Sequence, residues 1–224
     1  MNIVITGAGK GIGLALSKYF TENNHSVLAI SRNISRLENS ASPLLIPFSF
    51  DLLEKDYTPL IHFIGNQFNQ VDVLINNAGL LINKPFNLLN DDDFDRLFAT
   101  NVKSVFKLSK EILSFMKEGS HIVNISSMGG FQGSVKFPGL SLYSAAKGAV
   151  SILTEAMALE LLEKKISVNA LALGAVQTEM LSQAFPDYQA PLTPEEMATF
   201  IAEFAITGHK YFNGKILPVS ISTP

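Results

Sequence analysis

Tyr143 and Lys147 stand four residues apart at the start of a stretch, Ser144 to Leu162, whose apolar spacing predicts a helix, so both side chains project from one face. A phenol with a pKa of about 10 is a poor acid or base at neutral pH unless its anion is stabilised. An ammonium beside it favours the phenolate, so the pair can give a proton to a carbonyl oxygen while hydride arrives at the carbon. Taken alone, the two residues read first as an exposed tyrosine lying on the aliphatic stem of a lysine.

A second chemical feature lies near the start of the chain. Thr6-Gly7-Ala8-Gly9-Lys10-Gly11-Ile12-Gly13 joins an apolar run, Asn2 to Thr6, to an amphipathic stretch, Ile12 to Glu22. Strand, glycine turn and helix in that order suit a dinucleotide pyrophosphate. Gly7 permits the sharp turn, Gly11 lets backbone N–H groups approach phosphates, and Gly13 lets the helix pack closely on the strand. The spacing is G-x-x-x-G-x-G, because Ile12 and Leu14 stand where G-x-G-x-x-G requires glycine, and any tight strand-to-helix turn also uses glycine. No Lys-Ser or Lys-Thr pair follows the last glycine, which excludes a P-loop.

After the second apolar run, Ser26 to Ser31, the chain has Ser31-Arg32-Asn33, where an NAD site wants an acid for the ribose 2′-hydroxyl. Arg32 offers a planar fork of donors, Ser31 a neutral hydrogen bond and Lys10 a second positive charge, so NADP(H) is expected in preference to NAD(H). The alternative is that Arg32 and Lys10 are solvated surface charges.

The elements that must position these groups follow from the pattern of apolar runs. Asn2 to Thr6, Ser26 to Ser31, Leu44 to Phe50, Val71 to Ile75, His121 to Ser126, Ile166 to Leu173 and Lys215 to Ser220 read as strands. Their near-continuous apolarity, with helical segments between them, predicts a doubly wound α/β fold. A parallel sheet is covered by helices on both faces, Rossmann-like, in a single domain over residues 1–224 with right-handed crossovers. Helices are predicted at Ile12 to Glu22, Asp91 to Met116, Ser144 to Leu162 and Glu195 to Phe204, with Asp91-Asp92-Asp93 supplying an N-cap. Two loop-rich segments, Gly129 to Gly139 and Gln183 to Pro194, lie downstream of strand ends and are expected to border the site.

Composition agrees with a packed domain: 224 residues, 47% hydrophobic and 17% charged. A net charge of −3 gives no basic surface for nucleic acid or anionic membranes, and no apolar stretch is long enough to span a bilayer. There is no cysteine, which removes disulfides, thiolate catalysis and Cys-based zinc sites; a cytoplasmic location is expected. His25, His62, His121 and His209 are far apart in sequence without metal-ligand spacing, so no metal is expected and surface or turn roles are assigned to them.

Asp51-Leu52, Asn76-Asn77-Ala78-Gly79, Asn101 and Asn124-Ile125-Ser126-Ser127 follow in order, then Tyr143-Ser144-Ala145-Ala146-Lys147 and Asn169 to Thr178. With the glycine turn, this ordered set resembles the short-chain dehydrogenase/reductase family across almost the whole chain. The resemblance implies that Tyr143 is the general acid/base, with Ser127 holding the substrate oxygen and Ser126 structurally employed. Lys147 then reaches the nicotinamide ribose, and a local helix distortion at Asn101, a mediocre helix former, holds a relay water. It further implies that Asp51 and Leu52 meet the adenine, that Asn77, Ala78 and Gly79 line its ribose, and that Thr6 and Gly174 belong to the cofactor site. Val176 and Thr178 would hold the carboxamide. Relatives commonly pair through the long helices, so a homodimer or homotetramer acting on a small carbonyl or alcohol substrate is expected.

Four departures stand out. The interval Ser127 to Tyr143 is long, Leu173 replaces a proline that would restrain φ, Thr178 to Pro194 is short, and Lys215 to Pro224 lacks the usual Asp-Gly-Gly. Met128, Phe131, Phe137, Met180, Leu181, Phe185 and Tyr188 are candidates for an apolar substrate wall, with simple packing as the alternative. Two other functions on the same fold stay open: an epimerase or dehydratase with a tightly held cofactor, and a cofactor-sensing protein without turnover.

Overall fold

Apolar runs without polar alternation become strands buried on both faces, and the structure shows where each face goes. A computed structural model describes residues 1–221; Ser222, Thr223 and Pro224, part of the C-terminal departure noted above, lie outside the described residues. Seven strands, β1 (Asn2–Thr6), β2 (Ser26–Ser31), β3 (Leu45–Ser49), β4 (Val73–Asn76), β5 (His121–Ser127), β6 (Ser167–Leu173) and β7 (Ile216–Val219), form one sheet. All pairings are parallel and the order is β3-β2-β1-β4-β5-β6-β7. The order reverses between β1 and β4, the crevice where open sheets of this kind take ligands.

Alternate strand residues divide between two cores. Ile3, Ile5, Val27, Ala29, Val73 and Ile75 face α1 (Gly11–Glu22) and α8 (Pro194–Thr207) on one side of the sheet. Val4, Leu28, Ile30 and Leu74 face α3 (Thr58–Gln67), α5 (Ser104–Ile112) and α6 (Ser141–Glu160) on the other. Each side is dry at its centre, and truncating a fully buried residue such as Leu74 to Ala would cost about 2–5 kcal/mol.

The helices correct several expectations. The predicted Asp91–Met116 helix is three segments: α4 (Asp91–Phe98), a π-helical turn at Ala99–Lys103, and α5, closed by a 3-10 turn at Leu113–Phe115. Its N-cap is Asn90 rather than the aspartate triplet. Asn90 Oδ1 accepts from Asp93 N at 2.9 Å, and Asp93 Oδ2 accepts from Asn90 N at 3.1 Å, a reciprocal capping box. Three helices were not foreseen: α3, the short α2 (Ser35–Glu38) and α7 (Glu179–Ala184). α3 carries Gly65 and begins Thr-Pro, which mute its helix signal, yet its Leu60 and Ile64 are fully buried.

Candidate active site

The ends of β1, β2, β4, β5 and β6 open into one cleft of about 390 Å³. Its floor at one end is the glycine turn. Gly7 and Gly11 have φ of +67° and +53°, conformations that β-carbons disfavour. A β-carbon on Gly13 would lie 2.3 Å from Gly7 O, so the close contact of α1 with the turn depends on glycine there. On Gly11, one would project to within 3.3 Å of Thr178 Cγ2. Gly11 and Thr178 both line the cleft, so the missing side chain leaves room between turn and far wall, as a phosphate-bearing ligand requires.

Behind the turn, Thr6 Oγ1 accepts from Asn77 N and Ala78 N, both at 3.0 Å, while Asn77 Nδ2 donates to Thr6 O at 3.0 Å and Gly7 O at 3.3 Å. Thr6 and Gly13 are buried and do not line the cleft; they hold the turn in shape. Gly7, Lys10, Gly11, Ile12, Ser31, Arg32, Asp51, Leu52, Asn77, Ala78, Gly79, Gly174, Val176 and Thr178 all line it. Asp51 Oδ1 accepts from Leu53 N at 3.0 Å, and Leu52 O accepts from Tyr57 Oη at 2.7 Å.

At the other end, β5 and α6 bring Ser127, Tyr143 and Lys147 together. Ser127 Oγ accepts from Gly129 N at 3.1 Å and is near enough to the Tyr143 phenol to act on its proton affinity. Of the two adjacent serines, Ser126 is buried and its hydroxyl donates to Lys147 O at 3.0 Å. Lys147 Nζ stands 5.9 Å from the Tyr143 ring centroid and donates to Ile125 O at 2.8 Å. Burial pushes the Lys147 ammonium down to about 8. Burial likewise pushes the Tyr143 phenol up, with Ser127 acting weakly in the other direction.

Asn101 lies fully buried in the π turn. Its Oδ1 accepts from Leu80 N at 3.0 Å and its Nδ2 donates to Leu80 O at 2.9 Å, so the side chain pins the strand-exit segment Asn77–Leu80. A methyl built on Gly79 would meet Asn101 Oδ1 at 3.1 Å and Lys147 Nζ at 3.5 Å, which places both polar groups around one glycine.

A buried ladder that sequence reasoning did not assign holds these elements in register. Asn76 Nδ2 donates to Asn124 Oδ1 (2.8 Å) and Ser109 Oγ (3.0 Å), and Asn124 Nδ2 donates to Thr154 Oγ1 (2.9 Å). It ties β4, β5, α5 and α6 in a region where unpaired polar groups are costly. Two asparagines at matched strand ends were its only signal, and they pair in the β4–β5 register.

The walls differ from expectation. Met180 and Leu181 line the cleft with Leu80, Leu81 and Leu173, whereas Met128, Phe131, Phe137, Phe185 and Tyr188 do not. No residue of Gly129–Gly139 lines the cleft, and the segment's end is tied to the stretch after β4, Gly139 O accepting from Lys84 N at 2.9 Å. Gln183 to Pro194 also lies off it, with Ala190 N donating to Gln177 Oε1 at 2.7 Å. Leu173, lacking proline's restraint, is held instead by ladder pairing to Ser127 and Val219.

The histidines are corrected as well. His121 is fully buried, its ring 5.7 Å from that of His209. His121 Nδ1 faces Ala205 O at 2.9 Å and so donates to it, leaving Nε2 to accept from Asn169 Nδ2 at 2.9 Å. Desolvation pushes the ring down to about 4. The cluster sits at the starts of β5 and β6, at the opposite end of β5 from Ser127. Among the described residues no group of three or more His, Cys, Asp or Glu side chains is placed to hold a metal ion.

Comparison with known proteins is consistent with this arrangement. Carbonyl reductase [NADPH] 2 of Sus scrofa is 37% identical over 186 residues, 80% of this chain and 73% of that one. The 3-oxoacyl-[acyl-carrier-protein] reductase FabG of Thermotoga maritima is 29% identical over 236 residues, 96% and 94% of the two chains. The crystal structure of 3-ketoacyl-(acyl-carrier-protein) reductase from Brucella melitensis complexed with NADH superposes with a TM-score of 0.87 at 27% identity, covering 98% of this chain and 96% of that one. Residues 1–189 match the short chain dehydrogenase family, and the chain belongs to that family of oxidoreductases.

Proposed function

We propose that the protein interconverts a carbonyl and an alcohol, using NADP(H), with Tyr143 as the general acid/base. The observation that carries this reading is that Ser127, Tyr143 and buried Lys147 line the same cleft as the glycine turn. When bound, the nicotinamide dinucleotide supplies the hydride and, in its oxidised form, a positive charge that favours the phenolate.

Ser127 holds the substrate oxygen, and Tyr143 delivers a proton to that oxygen in reduction or removes it in oxidation. Lys147 orients toward the nicotinamide ribose and restores the proton of Tyr143. The Asn101 amide pins Leu80, and the helix distortion around it holds a relay water. Gly7, Gly11, Ile12 and Gly13 form the pyrophosphate cradle, with Thr6 behind it. Asp51 and Leu52 take the adenine, Asn77 to Gly79 the adjoining ribose, and Gly174, Val176 and Thr178 the carboxamide.

Preference for NADP(H) over NAD(H) rests on Lys10, Ser31 and Arg32 lining one end of the cleft, with no acid at the end of β2. The mammalian relative named for NADPH supports the preference, and the Brucella neighbour's NADH complex shows that the fold also admits the other cofactor.

The substrate is a small, largely apolar carbonyl or alcohol, bounded by Leu80, Leu81, Met180 and Leu181. The chain works as a single domain and pairs as a homo-oligomer through α4, α5 and α6, where Phe106, Ile152 and Leu159 are 50%, 66% and 75% exposed. No described helix is long and apolar enough to cross a membrane.

Oxidation of NADPH over a panel of aldehydes, ketones, quinones and acyl thioesters tests the activity. Turnover of at least one class, abolished in Tyr143→Phe, is the expected result; tight cofactor binding with no turnover on any would favour the cofactor-sensing alternative. Light scattering on the eluted protein tests the assembly, which a monomer at micromolar concentration would refute.

A further inference from the structure

Helix α7 contains no buried residue, yet three of its residues, Glu179, Met180 and Leu181, line the cleft. It follows β6, and its first residue reaches Arg36 on α2, which follows β2: Glu179 Oε1 and Arg36 Nη1 are 2.7 Å apart across 143 positions of sequence. In the strand order, β5, β4 and β1 lie between β6 and β2, so the segment crosses the ends of all three. Its last residue is held on the other side, Ala184 O accepting from Asn83 Nδ2 at 2.9 Å in the segment after β4. Between these ends Met180 and Leu181 line the cleft beneath. A helix without core contacts owes its position to its end attachments, and segments of that kind open at low free-energy cost.

The Glu179 end sits on the glycine turn. A methyl built on Gly11 would be 3.7 Å from Glu179 Oε2, and Lys10 is close enough to act on the same carboxylate. Arg36 beside Glu179 holds its carboxyl below the usual range, so the pair is fully charged at neutral pH.

We propose that α7 is a strap across the cofactor cleft and that the Arg36–Glu179 ion pair is its clasp, a pair of positioning residues whose opening controls how fast the dinucleotide enters and leaves. This rests on the reading of the cleft as a dinucleotide site. The clasp joins α2, which begins shortly after Arg32, to the start of α7 beside Gly11 and Thr178, and so fastens one end of the segment whose Glu179, Met180 and Leu181 line the cleft.

The test is release of NADPH from the full chain by stopped-flow displacement, read from nicotinamide fluorescence in a protein without tryptophan. Arg36→Gln, Glu179→Gln and the double variant should each speed release by about two- to fivefold, the range for an ion pair 60% and 41% exposed. The double variant should be no faster than either single one, and the reversed pair Arg36→Glu with Glu179→Arg should return toward the parent rate. NADH release should change by the same factor. Hydrogen exchange of the α7 amides in the cofactor-free protein should accelerate in the same variants. Unchanged release, additive effects of the two substitutions, or an effect confined to NADPH, which would make Arg36 a direct phosphate contact, would each overturn the clasp. A parent that binds neither NADPH nor NADH would instead overturn the cofactor reading, and the exchange proposal with it. Unchanged α7 exchange in variants of a cofactor-binding parent overturns the clasp alone.

Discussion

At the reaction end of the cleft the polar groups around Tyr143 are anchored to backbone: Lys147 to Ile125 O, Asn101 to both polar groups of Leu80, Ser127 to Gly129 N. At the nucleotide end Lys10, Arg32 and Arg36 are exposed, and Arg36 is tied only to another exposed side chain. The first arrangement fixes where a proton can move, because buried donors have few alternative partners and few alternative positions. The second fixes which anion is welcome, which a charge can do from a hydrated, mobile chain. Substitutions at the reaction end should therefore act on turnover or on the fold, and those at the nucleotide end on affinity alone.

The sharpest separation is expected from Tyr143→Phe, which removes the acid oxygen and keeps the ring. Turnover should fall by roughly 10³-fold, within the range for general acid–base groups, with NADPH affinity nearly intact. Near-normal kcat on a substrate the parent reduces would dissolve the distinction between the two ends.

Acid should break the fold without a special effect on the site, through His121. Its folded pKa of about 4 lies below the ordinary 6.5, so the unfolded chain takes up the proton first. The stability this neutral ring contributes is full above pH 6.5 and is lost as pH falls from there toward 4, on the order of 3 kcal/mol in all. His209, also lowered chiefly by desolvation, adds in the same direction. Thermal unfolding of the parent at pH 7.5 and pH 5 should show the loss, and His121→Gln should flatten it; parallel pH curves would refute the assignment.

At the nucleotide end, Arg32→Ala should weaken NADPH by about ten- to a hundredfold, the equivalent of one charge-assisted hydrogen bond, and leave NADH nearly unchanged. Equal losses for both cofactors would show that Arg32 does not read the 2′-phosphate, and tighter NADH than NADPH binding by the parent would reverse the preference.

The smallest effect has an unexpected sign. Lys147 is a cation buried against a neutral carbonyl, and its folded pKa of about 8 makes the charged form a burden on the cofactor-free fold at neutral pH. Because the unfolded lysine keeps its proton to about 10.4, the burden lifts only between pH 8 and that value. Lys147→Met should thus abolish turnover yet raise the cofactor-free stability by about 1–2 kcal/mol, less than the full relief because Ile125 O loses its donor. A lower Tm than the parent would count against this.

Much of this layout was legible in the chain. Strand positions held to within one or two residues at their ends, because a core that is apolar on both sheet faces writes itself as unbroken apolar runs. Asn101 marked the irregular turn because asparagine is out of place in a long helix. What could not be read depends on partners far apart in sequence. Arg36, Glu179 and Asn83 gain meaning only once α7 lies across the sheet, and His121 looks like any polar strand opener until Asn169 and Ala205 close around it. The misplaced substrate wall has a similar cause: Phe131 and Phe137 sit in a segment whose direction is set by its tie to Lys84, not by its own composition.

The π turn at Ala99–Lys103 has a consequence for how this region can change by mutation. Winding one extra residue into a turn shifts the angular phase of everything beyond it by about 100° relative to an uninterrupted α-helix. α4 presents Leu97 to the interior on one side of the turn, and α5 presents Leu108 and Ile112 on the other. Deleting a single codon between 99 and 103 would take out the residue that the wider turn absorbs, and a regular α-helix through the shortened segment would leave both flanking faces in nearly their present phase. The irregularity that positions Asn101 is thus separable from the packing of the helices on either side: one deletion would remove the first and spare the second.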